Sequence, residues 1–293
     1  MSAKDLLARH PSVPMVSLDT LWFQVAGTIC NLKCTHCFIS CSPENHTHEM
    51  MTLAEVRRYL EEAVRLGVRE YYFTGGEPFM NRDIFAILEE TLRVGPATVL
   101  TNGLLLDPGC CRRLRGIADA SDYSLDVRVS LDGWGPADHD GIRGAGTFNR
   151  AVAGIRNLAD AGLIPIITVT EAADGVATSS GRARYLDLLR GLGLSRARLK
   201  VLPLFRVGAE ATRTRGYERH ERLTAEMVTR EDLERLQCSS CRMVTSRGVW
   251  VCPILLDEPL ARMGTGLAET LRPFELRYPS CHTCHVQGVT CRT

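Results

Sequence analysis

The feature that most constrains this chain is where its cysteines fall. Of twelve in 293 residues, four lie between Cys30 and Cys41, two are adjacent at Cys110 and Cys111, and six lie between Cys238 and Cys291. The long middle of the chain has none. Cysteines used as small core hydrophobes would not bunch at both ends in this way. Met1 to His10 shows no basic stretch followed by an apolar core, so no secretory signal is read there. In a reducing compartment, clustered cysteines indicate metal ligands or reactive thiols rather than disulfides.

Charge and hydropathy narrow the class further. The chain carries 35 basic and 34 acidic residues, a formal net charge of +1. No global field would draw it to nucleic acid or to an anionic membrane. No apolar run approaches the roughly 18 residues needed to span a bilayer. The expectation is a cytoplasmic protein with no nucleic-acid or membrane partner. Its length suits one large domain, with or without a small appendage.

Short apolar runs alternate with helical patterns. Strands are predicted at Trp22–Val25, Glu70–Thr74, Ala97–Thr101, Val127–Ser130, Ile164–Thr170 and Ala197–Pro203. The clearest helix opens with a Thr52/Glu55 capping box, carries Leu53, Val56, Leu60, Ala63 and Val64 as one stripe, and stops at Gly67. Others follow Asp83, open at Asp107–Pro108, span Phe148–Ala161 and fall around Arg182–Arg190. A short one from about Arg230 to Gln237 leads to Cys238. Six strand–helix units in a row predict an α/β fold with a parallel sheet, either a partial barrel or a doubly wound sheet. In both, ligands sit at the C-terminal ends of strands. Arg206–Arg222 breaks the pattern and reads as a connection whose arginines are offset by Glu218 and Glu221. The expected organisation is a lead-in over 1–20, a barrel over 21–209, and a linker with a small cysteine-rich domain over 210–293.

Cys30, Cys34 and Cys37 directly follow the first strand. Three thiolates this close in a loop can bind three corners of an iron–sulfur cubane and leave the fourth iron open. A structural zinc loop completed by Cys41 is the alternative. Other polar motifs end the later strands: Gly75-Gly76-Glu77-Pro78 the second, Thr101-Asn102-Gly103 the third, Ser130-Leu131-Asp132-Gly133 the fourth, and Leu202-Pro203 the sixth.

The spacing Cys-x3-Cys-x2-Cys, with His36 before the last cysteine, resembles the radical S-adenosylmethionine (radical SAM) superfamily, and the later motifs follow in that family's order. The resemblance implies a partial (β/α)6 TIM-like barrel and a 4Fe-4S cluster on Cys30, Cys34 and Cys37. Its open iron would be chelated by S-adenosylmethionine. Reductive cleavage would yield a 5′-deoxyadenosyl radical that takes hydrogen from substrate. It further implies that Gly75, Gly76 and Glu77 meet the methionine amino group, that Asn102, Ser130 and Asp132 supply ribose or methionine contacts, that Arg143 grips the methionine carboxylate, and that Leu202 packs the adenine.

The tail contains Cys238-Ser-Ser-Cys241, Cys252, Cys281-His-Thr-Cys284 and Cys291. Two Cys-x2-Cys pairs can make a zinc ribbon. The pattern also resembles the auxiliary-cluster extensions called SPASM and Twitch domains, although the closing cysteine pair of a full SPASM domain is lacking. That resemblance implies one auxiliary 4Fe-4S cluster held by Cys238 or Cys241 with Cys252, Cys281 and Cys284; Cys291 could be a further ligand or a thiol that donates hydrogen. Cys110 and Cys111 are expected to be packed on a helix, Cys41 to lie near the active site without being a ligand, and His46 and His48 to be exposed.

The expected activity is maturation of a ribosomal peptide or protein. Oxidation or rearrangement of an amino sugar or cyclitol is the second reading, and a non-catalytic metal-binding protein a remote third. A one-electron donor such as flavodoxin or ferredoxin is expected. The lead-in is too short for a leader-peptide-binding domain, so that partner would be a separate protein.

Overall fold

A computed structural model describes residues 10–173, 175–194, 196 and 198–288. In chain order the elements are β1 Ser12–Val13, β2 Thr20–Phe23, α1 Leu53–Arg65, β3 Glu70–Phe73, α2 Ile84–Thr91, β4 Ala97–Thr101, α3 Pro108–Asp119, β5 Leu125–Ser130, α4 Pro136–Arg143, α5 Thr147–Asp160, β6 Ile166–Thr170, α6 Ser179–Gly191 and β7 Arg198–Leu202, followed by α7 Ala209–Arg213, α8 Arg230–Arg235, β8 Cys241–Thr245, β9 Gly248–Trp250, β10 Arg262–Gly264, β11 Phe274–Glu275 and α9 Pro279–Val286.

Strands β2 to β7 lie side by side in chain order and are all parallel. Each crossover therefore steps to the next position, the path of a partial TIM barrel. The residues after 210 extend the same sheet. β8 pairs parallel with β2 on the side away from β3, in the register Thr20↔Cys241 to Phe23↔Val244, and β9 and β10 continue outward antiparallel. A two-stranded β1–β11 sheet stands apart.

The pleat assigns the two faces. Leu21, Phe23, Tyr71, Phe73, Val99, Val127, Val129, Ile167 and Val169 belong to one apolar core together with residues of α1, α2, α3 and α5. Trp22, Tyr72, Cys241, Met243 and Trp250 belong to a second, built with the tail, in which Trp22 and Tyr72 stack with centroids 4.4 Å apart.

Local chemistry explains the helix starts. Thr52 and Glu55 form the reciprocal capping box, and the Asp107 side chain accepts from Cys110 N. Asp83 caps no N–H of α2; its carboxylate instead accepts from Leu53 N, joining the first turns of α1 and α2. Val64, expected on the inner stripe of α1, is 51 % exposed, because Val56, Tyr59, Leu60 and Ala63 already fill the buried face. No helix among the described residues is long and apolar enough to cross a membrane.

Candidate functional site

The motifs at the strand ends meet at one place. The loop after β3 lies flat against the first cysteine loop: Gly76 N donates to Gly27 O at 2.9 Å and Glu77 N to Ile29 O at 3.1 Å. Only glycine permits this approach, since a Cβ on Gly76 would stand 1.9 Å from the Ile29 carbonyl oxygen. The cysteine loop closes on itself through Cys30 N to Ser42 O at 3.2 Å and is held to α4 through Thr35 N to Ile142 O at 2.9 Å.

A cavity of about 210 Å³ opens here. Cys30, Cys34 and Cys37 line it, together with Gly75, Gly76, Asn102, Ser130, Arg143 and Leu202. Two expected contact residues, Glu77 and Asp132, are fully buried behind the wall. The Glu77 carboxylate accepts from Phe79 N at 3.1 Å, Thr101 Oγ1 at 2.8 Å and Asn102 N at 2.8 Å. Burial pushes it up to about 7 against the pull of those donors. Asp132 accepts from His36 Nε2 at 2.9 Å, from Arg143 Nε at 2.7 Å, and from both the N–H and the hydroxyl of Thr170 at 2.8 Å. Burial alone would raise its pKa, but Arg143 and His36 hold it well below the usual carboxylate range.

The thiols differ in setting. Burial pushes Cys30 up to about 12 and also raises Cys34, where Arg143 Nη1, 3.9 Å from the sulfur, pulls the other way. Hydrogen bonding from Cys41 lowers the Cys37 thiol below its ordinary value, with Cys41 N 3.3 Å from its sulfur. Cys41 is buried and lines the same cavity. Among the described residues, no three Cys, His, Asp or Glu side chains converge on a point that would hold a single ion. Three thiols spread over one cavity wall suit a cluster whose irons take one cysteine each.

The cavity lining also has an apolar part: Trp22, Phe38, Leu204, Phe205, Ile254 and Leu256. Sequence reasoning missed this apolar lining, which draws on β2, the cysteine loop, the segment after β7 and the tail. It also missed Arg128, a buried residue of the cavity lining whose Nε donates to Thr168 Oγ1 at 3.2 Å. The period-2 rule could have found it, since Arg128 shares a strand face with Ser130.

A second, narrow cavity of about 30 Å³ adjoins the first and shares Pro253 and Ile254 with it. Cys238, Cys252, Cys281 and Cys284 all line it. Cys241 does not: it is fully buried on β8, its sulfur 3.9 Å from Val251 O. Cys291 lies outside the described residues. Cys111 is buried and Cys110 half-buried on α3, as packing residues. His46 is exposed, but His48 is only 2 % exposed and meets Trp250 edge-on, contrary to the expectation for a polar loop. Arg206 pairs with Glu221 and Arg215 with Glu218, so the connecting segment neutralises much of its own charge.

The chain is 34 % identical over 134 residues to mycofactocin maturase MftC of Mycolicibacterium smegmatis, covering 45 % of this chain and 32 % of that protein. It is 30 % identical over 180 residues to a probable GTP 3′,8-cyclase of Methanosarcina mazei, covering 56 % and 51 %. The chain thus spans about a third to a half of the length of these curated relatives. Among solved structures, Streptococcus suis SuiB bound to precursor peptide SuiA superposes with a TM-score of 0.66 at 16 % identity, over 90 % of this chain and 65 % of that one. Native anSMEcpe with bound AdoMet and Cp18Cys peptide gives a TM-score of 0.61 at 16 % identity, over 86 % and 79 %. At such identities these two speak for the fold. A family model described as the Radical SAM superfamily matches residues 25–172, just over half of the chain, and spans the cysteine loop and the ends of β3 to β6. This chain is therefore an enzyme of the radical SAM superfamily, whose members use a 4Fe-4S cluster and S-adenosylmethionine.

Proposed function

We propose that this enzyme matures a ribosomal peptide by hydrogen abstraction at a 4Fe-4S cluster held by Cys30, Cys34 and Cys37. The observation that carries the reading is a single cavity whose wall combines those three thiols, the Gly75–Gly76 edge and Arg143. When bound there, the cluster supplies the electron that cleaves S-adenosylmethionine to the hydrogen-abstracting radical. The chain's own residues bind and orient. Gly75 and Gly76 let the methionine end approach the backbone. Arg143 offers a guanidinium to its carboxylate. Asn102 and Ser130 offer polar contacts, and Leu202 an apolar face for adenine. The reducing electron would come from a flavodoxin- or ferredoxin-type protein.

The apolar part of the lining favours a peptide side chain over an amino sugar or cyclitol. Each sugar hydroxyl left unpaired against Leu204, Phe205, Ile254 or Leu256 would cost about 1–3 kcal/mol. A buried apolar side chain would gain about 1.5–3 kcal/mol. Of the curated relatives, the one named as a maturase points the same way, while the GTP 3′,8-cyclase is named for a small-molecule substrate.

For the tail we propose an auxiliary cluster on Cys238, Cys252, Cys281 and Cys284. Arg242 supports this. Its side chain is buried, and its guanidinium donates only to carbonyl oxygens: Thr270 O at 2.8 Å, Cys238 O at 2.8 Å, Cys241 O at 2.6 Å and Arg272 O at 3.1 Å. Among the described residues no carboxylate pairs with it. A buried cation without a counter-anion is costly, and a cluster with four thiolate ligands beside Cys238 would provide the negative charge.

Co-expression with short peptides encoded beside the gene, followed by mass spectrometry, tests the substrate class. A peptide mass change that disappears in Cys34→Ala is expected. Unchanged peptides, together with turnover of an amino sugar or cyclitol, would overturn the peptide reading.

A further inference from the structure

The Ser130-Leu131-Asp132-Gly133 motif places its aspartate away from the cavity. Asp132 is fully buried and does not line the cavity, yet its carboxylate is saturated. Oδ2 takes His36 Nε2 and Arg143 Nε; Oδ1 takes the amide and hydroxyl of Thr170. These four donors belong to three segments: the cysteine loop, helix α4 and the end of β6. His139 completes the frame, its Nδ1 lying 3.1 Å from Asp132 N and 3.0 Å from Asp132 O. Arg143 spends its Nε on Asp132, which leaves its terminal nitrogens toward the cavity, with Nη1 3.9 Å from Cys34 Sγ.

A guanidinium can serve two partners at once because its donors are fixed in a planar fork. One edge is anchored by a buried carboxylate, and the other is thereby aimed. We infer that Asp132 is a positioning residue: it aims Arg143, and through Arg143 sets the affinity for the carboxylate of S-adenosylmethionine. This rests on the proposed role of Arg143 and assigns Asp132 no contact with the ligand. His36, between Cys34 and Cys37, ties the same carboxylate to the cysteine loop, so the aim of Arg143 is referenced to the thiols rather than to α4 alone.

The test is a double-mutant cycle on S-adenosylmethionine binding, measured by equilibrium dialysis on anaerobically reconstituted enzyme. The electron paramagnetic resonance change of the reduced cluster on adding the ligand is recorded in parallel. Arg143→Ala is expected to weaken binding about ten- to a hundredfold. Asp132→Asn is expected to weaken it about tenfold in the wild-type background and scarcely at all in the Arg143→Ala background. No weakening by Arg143→Ala defeats the role of Arg143 itself. Weakening by Arg143→Ala with a full, additive effect of Asp132→Asn defeats only the positioning inference. Should Asp132→Asn fail to hold iron, Arg143→Lys decides: its ammonium lacks the fork, so binding as poor as in Arg143→Ala supports positioning, and wild-type binding overturns it.

Discussion

Glu77 and Asn102, on successive strand ends, are joined by a hydrogen bond from the Asn102 amide to the Glu77 carboxylate at 2.8 Å. Asn102 then reaches the cysteine loop, its side-chain amide donating to Asn31 Oδ1 at 2.7 Å and lying 3.9 Å from Cys30 Sγ. The motifs after β3 and β4 thus form one polar frame behind the cavity wall. Glu77→Ala would strand the three donors that its carboxylate satisfies, Phe79 N, Thr101 Oγ1 and Asn102 N. Urea denaturation of the apoprotein should show a loss of about 3 kcal/mol, and Glu77→Gln a smaller one.

Asp132 gives a pH dependence with a definite sign. Its folded pKa lies below its ordinary value of 3.8. Its contribution is complete above that value and is lost as pH falls toward the folded pKa, where the fold still holds the ionised form but the unfolded chain has taken up a proton. The stability difference between wild type and Asp132→Asn should stay constant from about pH 7 to about pH 5 and shrink below about pH 4. A difference that grows on acidification would contradict the ionised, Arg143-paired carboxylate.

Gly76 has no space for a methyl group beside the Ile29 carbonyl. Gly76→Ala must push the cysteine loop away from the end of β3, at a cost of about 1–3 kcal/mol. Iron at the first site should fall, while the tail site keeps its own.

The two candidate ligands in the first tail pair separate cleanly. Cys238 lines the second cavity and Cys241 is packed on β8. In reconstituted enzyme with about eight irons per chain, Cys238→Ala should leave about four, and Cys241→Ala about eight. The opposite pattern would move the ligand set.

Six parallel strands, the Thr52 and Asp107 caps and the grouping of Cys30, Cys34 and Cys37 could be read from local signals, because each depends on residues close in sequence. Other features could not. Helix α4, which carries Arg143, is short and holds Gly141 and four polar residues, so its apolar period is too weak to see and only Pro136 marks its start. The pairing of β8 with β2 joins residues more than 200 positions apart, and no periodicity encodes such a partner. Glu77 and Asp132 look like ligand contacts because they are carboxylates within polar motifs; their burial becomes visible only once Thr101, Asn102, His36 and Thr170 surround them. His48 reads as loop surface for the same reason, since its neighbour Trp250 lies far along the chain.

Reductive cleavage at the loop of Cys30, Cys34 and Cys37 is the claim on which the rest depends. Anaerobically reconstituted enzyme, reduced with dithionite and given S-adenosylmethionine, should accumulate 5′-deoxyadenosine. Cys34→Ala should form at least about a hundredfold less, a barrier increase of about 2.7 kcal/mol. Equal accumulation by the two proteins would contradict the assignment of the catalytic cluster to this loop.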